Sequence, residues 1–195
     1  MRGRSDPAAA LLSGVQNADA PPRMNVFLVG PMGSGKSAVG RQLAQRLALE
    51  FIDSDAEIEA RTGVDIAYIF EREGEAGFRS REAEVIDALS RRDRVLVSTG
   101  GGAILDASTR ERLRARGRVV YLRTSVDQQL ARTRRSNDRP LLNNDDPRGT
   151  LERLFEQRAP LYTEVAEIVV DTDGRKVKAV VDQICHQLGV DGVEP

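Results

Sequence analysis

The chain has 195 residues, of which 40% are hydrophobic and 30% are charged, a composition typical of a globular domain. Its formal net charge is −1, so overall charge gives no case for binding nucleic acid or an anionic membrane. Its single cysteine, Cys185, excludes an internal disulfide, and no apolar run is long enough to span a membrane. We therefore expect a cytoplasmic protein with one domain at 24–190 and a disordered tail, rather than a targeting signal, at 1–23.

Short apolar runs alternate with amphipathic segments along the rest of the chain. In chain order, NVFLVG, FID, RVLVST, RVVYLRT and EIVVDT predict strands, and the segments between and after them predict helices. A break is expected at Gly74 and Gly77, a helix from an Asp106 cap to Gly117, and a bend or division at Pro160. Residues 135–149 lack an apolar period and predict a long loop, which is usually functional or mobile. Five such alternations predict an α/β domain whose parallel sheet is covered on both faces.

The first strand runs into GPMGSGKS, residues 30–37, which fits the phosphate-loop pattern G-x-x-x-x-G-K-[ST]. Glycines let backbone N–H groups turn towards phosphate oxygens, and the following helix adds its positive N-terminal end. Lys36 would reach the β- and γ-phosphates, and Ser37 would ligate Mg²⁺. The alternative is a glycine-rich turn with a solvated lysine, but the strand before and the helix after favour a nucleotide site.

A phosphate loop needs an acid on the metal side, and its position narrows the protein class. The chain lacks N-K-x-D, which a GTPase would carry together with D-x-x-G, and the strand VLVST is followed by glycines rather than by an acid. The candidates are Asp53 and Asp55 in FIDSD, because ligand sites of parallel sheets lie beyond the carboxyl ends of strands. One acid could orient a metal-bound water and the other could take a proton from an acceptor. The alternative for Asp55 is a simple helix cap.

Two further stretches suggest a second ligand. In GFRSRE, Arg79 and Glu82 lie one helical turn apart, so they could belong to a site or form a surface pair. The run Gly100 to Gly102 follows a strand and would allow a ligand to approach the backbone closely, although a flexible turn is the alternative.

Six motifs together resemble the shikimate kinases over about residues 24–188: GPMGSGKS, DSDAEIEARTG, GFRSRE, STGGG, RPLL and QRAPLYTEVA, in this order and at these spacings. The resemblance implies the nucleoside-monophosphate kinase fold, a P-loop three-layer sandwich with a five-stranded parallel sheet in the order 2-3-1-4-5. It also implies substrate-binding helices at about 54–82 and a mobile lid at about 134–148. The implied reaction is ATP-dependent phosphorylation of the 3-hydroxyl of shikimate, with Mg²⁺, by a monomer.

The resemblance also implies which residues hold the nucleotide. Those expected around the ATP phosphates are Gly33, Ser34, Gly35, Lys36, Ser37 and Ala38. Ser37 would ligate Mg²⁺, and Asp53 would reach the ion through water. Arg139, in DRPLL, would come from the lid onto the phosphates and act with Lys36 in catalysis, and Arg175 would lie near the adenine.

On the acceptor side, the resemblance implies that Asp55 binds shikimate hydroxyls and serves as the base. Arg79 and Arg158 would clamp the shikimate carboxylate, and the Gly101 backbone N–H would bind a hydroxyl. One position departs from the family pattern, because Ala38 stands where many members have threonine. A side-chain contact to the α-phosphate is then missing, while Ser37 keeps the metal ligand.

Three other interpretations remain. Another small-molecule kinase of the same fold, for gluconate or a nucleoside monophosphate, would not be expected to carry FRSRE, GGG and RAPLY together. An ATP-binding regulatory module without catalysis predicts damage at Lys36, Asp53 or Asp55, and all three are intact. The arginines at 132, 134, 135 and 139 could suggest a nucleic-acid patch, but no aromatic residues are interleaved with them.

Overall fold

The computed structural model describes residues 24–133 and 146–190. Five strands form one parallel sheet in the order β2-β3-β1-β4-β5. Their bounds are β1 Val26–Val29, β2 Glu50–Asp53, β3 Val95–Ser98, β4 Arg118–Arg123 and β5 Ile168–Asp171. The predicted α/β class, the five strands and their order are confirmed.

The described part of the chain has seven α-helices and a short 3₁₀ helix at Ala103–Leu105. The α-helices are α1 Lys36–Arg46, α2 Ser54–Thr62, α3 Ile66–Ser90, α4 Ala107–Arg116, α5 Val126–Thr133, α6 Pro147–Val165 and α7 Val177–Leu188. The predicted break in α3 is present at Gly74, where φ is 70° and ψ is −177°, whereas Gly77 is helical. The predicted cap and end of α4, at Asp106 and Gly117, are confirmed.

Helices cover both faces of the sheet, because each strand directs apolar side chains to both faces. In the fully buried strand β1, Val26 and Leu28 pack with α1 and α7, whereas Phe27 and Val29 pack with α2, α3, α4 and α6. This gives the expected three layers. None of the helices in the described ranges is long and apolar enough to cross a membrane.

Helix α6 differs from its prediction at its start. It begins at Pro147, so the loop predicted at 135–149 ends earlier, because Asp146 accepts a hydrogen bond from Gly149 N (2.8 Å) and Pro147 suits the first helical position. The helix continues through Pro160 to Val165, so the division considered at Pro160 is absent, and the bend stays a prediction. The lid predicted at 134–148 lies outside the described residues except for its last three, which belong to the cap and first turn of α6.

The strand register brings the candidate motifs to one edge of the sheet. Ser98, the last residue of β3, pairs with Leu28 of β1 on one side and with Asp53 of β2 on the other. The phosphate loop, the acids of FIDSD and the glycine run therefore all leave the sheet at its carboxyl edge, where parallel sheets bind ligands.

Candidate active site

A cleft of about 920 Å³ opens at this edge of the sheet. The predicted site residues that line it are Gly33, Gly35, Lys36, Ser37, Ala38, Asp53, Asp55, Arg79, Gly101 and Arg158. Ser34 and Arg175 do not line it, and Arg139 lies outside the described residues. One cavity thus joins the phosphate loop to the candidate acceptor residues.

The phosphate loop has the backbone that its glycines permit. Gly35 caps α1 with φ at 93°, a left-handed conformation that favours glycine, and α1 begins at Lys36. The Lys36 ammonium donates to the carbonyls of Gly30 and Pro31, at 2.8 Å each, and so is held at the mouth of the loop. A helix N-terminus and a lysine therefore face the same end of the cleft, as anion binding requires.

The two acids of FIDSD have different roles. Asp53 accepts the Ser37 hydroxyl through Oδ2 at 2.8 Å and the Asp55 backbone N–H through Oδ1 at 3.1 Å. Asp53 is therefore the N-cap of α2, and the alternative in which Asp55 is only a cap is wrong. The Asp55 carboxyl group lines the cleft instead.

Ser37 and Asp53 offer two oxygen ligands side by side at the cleft edge. Within residues 24–133 and 146–190, no group of three or more His, Cys, Asp and Glu side chains could hold a metal ion alone. Mg²⁺ usually takes one or two protein oxygens and completes its shell with waters and substrate phosphates. The residues present therefore fit Mg²⁺ held jointly with a nucleotide.

At the far end of the cleft, the half-buried Arg79 forms an ion pair with the buried Glu82. Arg79 donates to Glu82 at 2.6 Å and to the more exposed Glu75 at 3.1 Å. The Glu82 side chain is 2% exposed, so the surface-pair interpretation of GFRSRE is wrong. Burial raises the pKa of the Glu82 carboxyl, and the neighbouring Arg79 opposes that rise.

Arg158, on α6, is 5% exposed and faces the same cleft. Burial lowers the pKa of its guanidinium, Tyr162 opposes this, and repulsion from Arg79 lowers it further. Its Nε has no hydrogen-bond partner among the described residues. The half-buried Arg79 and the buried Arg158 thus converge near one buried carboxylate, and an anion in the cleft would relieve both the repulsion and the lost hydration.

Charged side chains pack so closely against the glycine run that two of its positions have no room for a side chain. A Cβ at Gly100 would lie 2.3 Å from Glu82 Oε1 and 2.8 Å from Asp55 Oδ1, and one at Gly102 would lie 2.3 Å from the Arg79 guanidinium. Side chains at both positions would displace the residues that face the cleft. The glycine run is thus part of the site rather than only a flexible turn.

Two predicted nucleotide residues do not line the cleft. Ser34 is fully buried, and its backbone N–H donates to Pro31 O within the loop. Arg175 donates to the carbonyls of Asp171 and Ala179 beside α7, so its predicted place near the adenine stays a prediction.

The sequence reasoning missed Arg132 and Glu82 as cleft residues. Arg132 lines the cleft and joins Gly33 O (2.8 Å) to Thr172 O (3.1 Å), and no local pattern marks a contact across such a distance in the chain. Glu82 did carry a signal, because it follows Phe78 by four residues on the buried face of α3.

This fold and this cleft define the class of P-loop small-molecule kinases. A family model described as "Shikimate kinase" matches residues 32–189, which is most of the chain. The chain belongs to the shikimate kinase family.

Individual relatives agree with this assignment. The chain is 56% identical to the shikimate kinase of Shewanella amazonensis over 167 residues, covering 86% of this chain and 98% of the relative. The solved shikimate kinase of Acinetobacter baumannii, in complex with shikimate, superposes with a TM-score of 0.85 at 46% identity, covering 89% of this chain and 97% of that one. A gluconokinase from Sinorhizobium meliloti is 19% identical with a TM-score of 0.51, covering 87% and 98%, and so shares only the fold.

Proposed function

We propose that the protein transfers the γ-phosphoryl group of ATP to the 3-hydroxyl of shikimate, giving shikimate 3-phosphate and ADP. The observation that carries this proposal is the convergence of the half-buried Arg79 and the buried Arg158 on the cleft that also contains the phosphate loop and Asp55. The solved relative that contains shikimate supports the choice of acceptor.

The acceptor end of the cleft suits a small ring that carries one carboxylate and several hydroxyls. Arg79 and Arg158 present planar guanidinium groups, which pair with a carboxylate through two parallel hydrogen bonds. Asp55 would accept a hydrogen bond from a ring hydroxyl, and the Gly101 backbone N–H would donate one. A carboxylate held at the arginines would fix which hydroxyl faces the phosphate loop.

Phosphoryl transfer requires mainly alignment and neutralisation of charge. The acceptor oxygen forms a bond to the γ-phosphorus, and the bond from that phosphorus to the β–γ bridging oxygen breaks, so ADP leaves with the electron pair. Asp55 takes the proton of the acceptor hydroxyl, and Lys36 neutralises the phosphate oxygens. Arg139, which lies outside the described residues, would add a second positive charge.

Mg²⁺ would be held by Ser37 directly and by Asp53 through water, and when bound it supplies positive charge at the phosphate oxygens. The hydrogen bond between Ser37 and Asp53 keeps both side chains directed at the cleft edge. Asp53 also caps α2, so the residue at the metal side fixes the start of the helix that carries Asp55.

The test is release of ADP from Mg-ATP with shikimate, gluconate and AMP supplied in parallel. We expect shikimate alone to stimulate release strongly, because neither other acceptor combines a ring carboxylate with the hydroxyl pattern described above. Stimulation by gluconate instead would favour the alternative kinase, and no stimulation by any of the three would favour a regulatory ATP-binding module. Omitting Mg²⁺ should abolish turnover.

The proposal also covers the oligomeric state, the location and the partners of the protein. We expect a monomer in the cytoplasm that binds neither nucleic acid nor membranes, and size-exclusion chromatography with light scattering would test the oligomeric state.

A further inference from the structure

Tyr162 lies directly behind the acceptor end of the cleft, on α6. Its side chain is fully buried, and its hydroxyl donates a hydrogen bond to the Gly101 carbonyl. Arg158 stands one helical turn earlier on the same helix and faces the cleft. One turn of α6 therefore carries both a cleft arginine and a direct link to the glycine run.

The link ties the glycine run to α6. An added Cβ at Gly101 would lie 3.6 Å from each of Gly30 O, Met32 N and the Tyr162 hydroxyl. Gly101 is thus placed between the backbone of the phosphate loop and the tyrosine. The next residue, Gly102, packs against the Arg79 guanidinium, so the peptide that Tyr162 binds also supports Arg79.

The surroundings of Tyr162 keep its hydroxyl protonated, so that it donates a hydrogen bond, and keep its ring in one orientation. Burial raises the pKa of Tyr162, with the nearby charge of Arg158 opposing the rise, so the hydroxyl stays protonated at every working pH. The ring stacks on Tyr121 with centroids 4.9 Å apart and an interplanar angle of 25°. A protonated, fixed hydroxyl can hold a carbonyl in one place.

We propose that Tyr162 is a positioning residue of the acceptor site, whose hydroxyl holds the Gly101 peptide at a fixed distance from Arg158 and the phosphate loop. The inference rests on the proposed function. Without the hydroxyl, the Gly101 carbonyl loses this partner and the glycine run can shift. The contacts of the acceptor with Gly101 and Arg79 then weaken, while the nucleotide contacts stay in place.

The test compares Tyr162→Phe with Tyr121→Phe. The two rings stack on each other, and Tyr121 is 1% exposed, but its hydroxyl has no hydrogen-bond partner within the described ranges. Each variant therefore deletes one hydroxyl from the same buried pair, and only one of them breaks the link. We expect Tyr162→Phe to raise the KM for shikimate roughly tenfold and the KM for ATP less than about twofold. Tyr121→Phe should leave both constants near the wild-type values.

The outcomes separate positioning from packing. An equal change in both KM values for Tyr162→Phe, or the same behaviour in the two variants, would overturn the inference. Partial unfolding of a variant lowers its apparent kcat but not its KM, so the comparison holds for a less stable protein. Wild-type protein without shikimate-stimulated ADP release would instead contradict the proposed function, and that result is read before any variant is compared.

Discussion

Replacing Arg158 with methionine should weaken acceptor binding and stabilise the free protein. Arg158 is 5% exposed, and burial and the charge of Arg79 lower its pKa, so its positive charge is unfavourable until an anion arrives. Methionine is unbranched and polarisable, so it can fill much of the same space without a charge. Arg158→Met therefore removes the contact with the acceptor and also removes a buried charge.

The two effects have different sizes. A hydrogen bond between charged groups contributes about 1.5–3 kcal/mol, and the upper value corresponds to a roughly 150-fold rise in the shikimate KM. Replacing buried ionic groups by apolar side chains of similar volume is often neutral or stabilising by about 1–4 kcal/mol when no partner is left unpaired, and Glu82 keeps its ion pair with Arg79. We take the lower end, about 1 kcal/mol, because Glu82 and Glu75 partly compensate Arg158 in the free protein. For a domain of this size, the melting temperature should then rise by about 3 °C.

Steady-state kinetics with each substrate varied, together with thermal unfolding of the ligand-free protein, measure both effects. The matched control is Arg153→Met, because Arg153 lies on the exposed face of the same helix and contacts Thr150. It should change neither KM nor the melting temperature appreciably. An equal rise in the KM values for shikimate and ATP, or a large fall in the melting temperature of Arg158→Met, would refute the reasoning.

Three other changes test different parts of the molecule. Asp55→Asn should abolish phosphoryl transfer while ATP binding, measured by calorimetry, persists; unchanged turnover would remove Asp55 from the role of base. Gly102→Ala should raise the shikimate KM at least about tenfold, because the new Cβ would displace the Arg79 guanidinium, and an unchanged KM would contradict that packing. Asp87 has a pKa lowered chiefly by its hydrogen bond with Arg116, so it stabilises the fold above the ordinary pKa of about 3.9 and loses this effect as pH falls. In Asp87→Asn, the free energy of unfolding should therefore fall less steeply as the pH is lowered below about 4. A fall as steep as in the wild type would argue against this role of Asp87.

Much of the fold followed from local patterns. The alternation of buried strands and amphipathic helices, the break at Gly74 and the Asp106 cap each depend on a few neighbouring residues, and the structure has all of them. Helix α6 was predicted less well. The start at Pro147 was readable from the cap pattern, whereas continuation through Pro160 depends on packing of the helix within the domain.

The candidate site was only partly readable in the same way. Asp53 and Asp55 are one residue apart and both can cap a helix, so the sequence does not decide between them. The end of β2 and the hydrogen bond that Asp53 accepts from the Asp55 backbone N–H assign the cap to Asp53, and the Asp55 carboxyl group lines the cleft. Glu82 was placed beside Arg79 by spacing alone, but its burial depends on α3 packing against the sheet.

By itself, the sequence determined the phosphate loop, the order of the elements and the residue types available for an anionic acceptor. These features are local, since each depends on backbone freedom, side-chain chemistry or apolar spacing within one segment. Only the tertiary structure decided which charges meet. Arg132 reaches Gly33, and Tyr162 reaches Gly101, across 99 and 61 residues of chain. Such contacts arise because the parallel sheet brings distant loops to one edge, and no pattern within a single segment encodes that meeting.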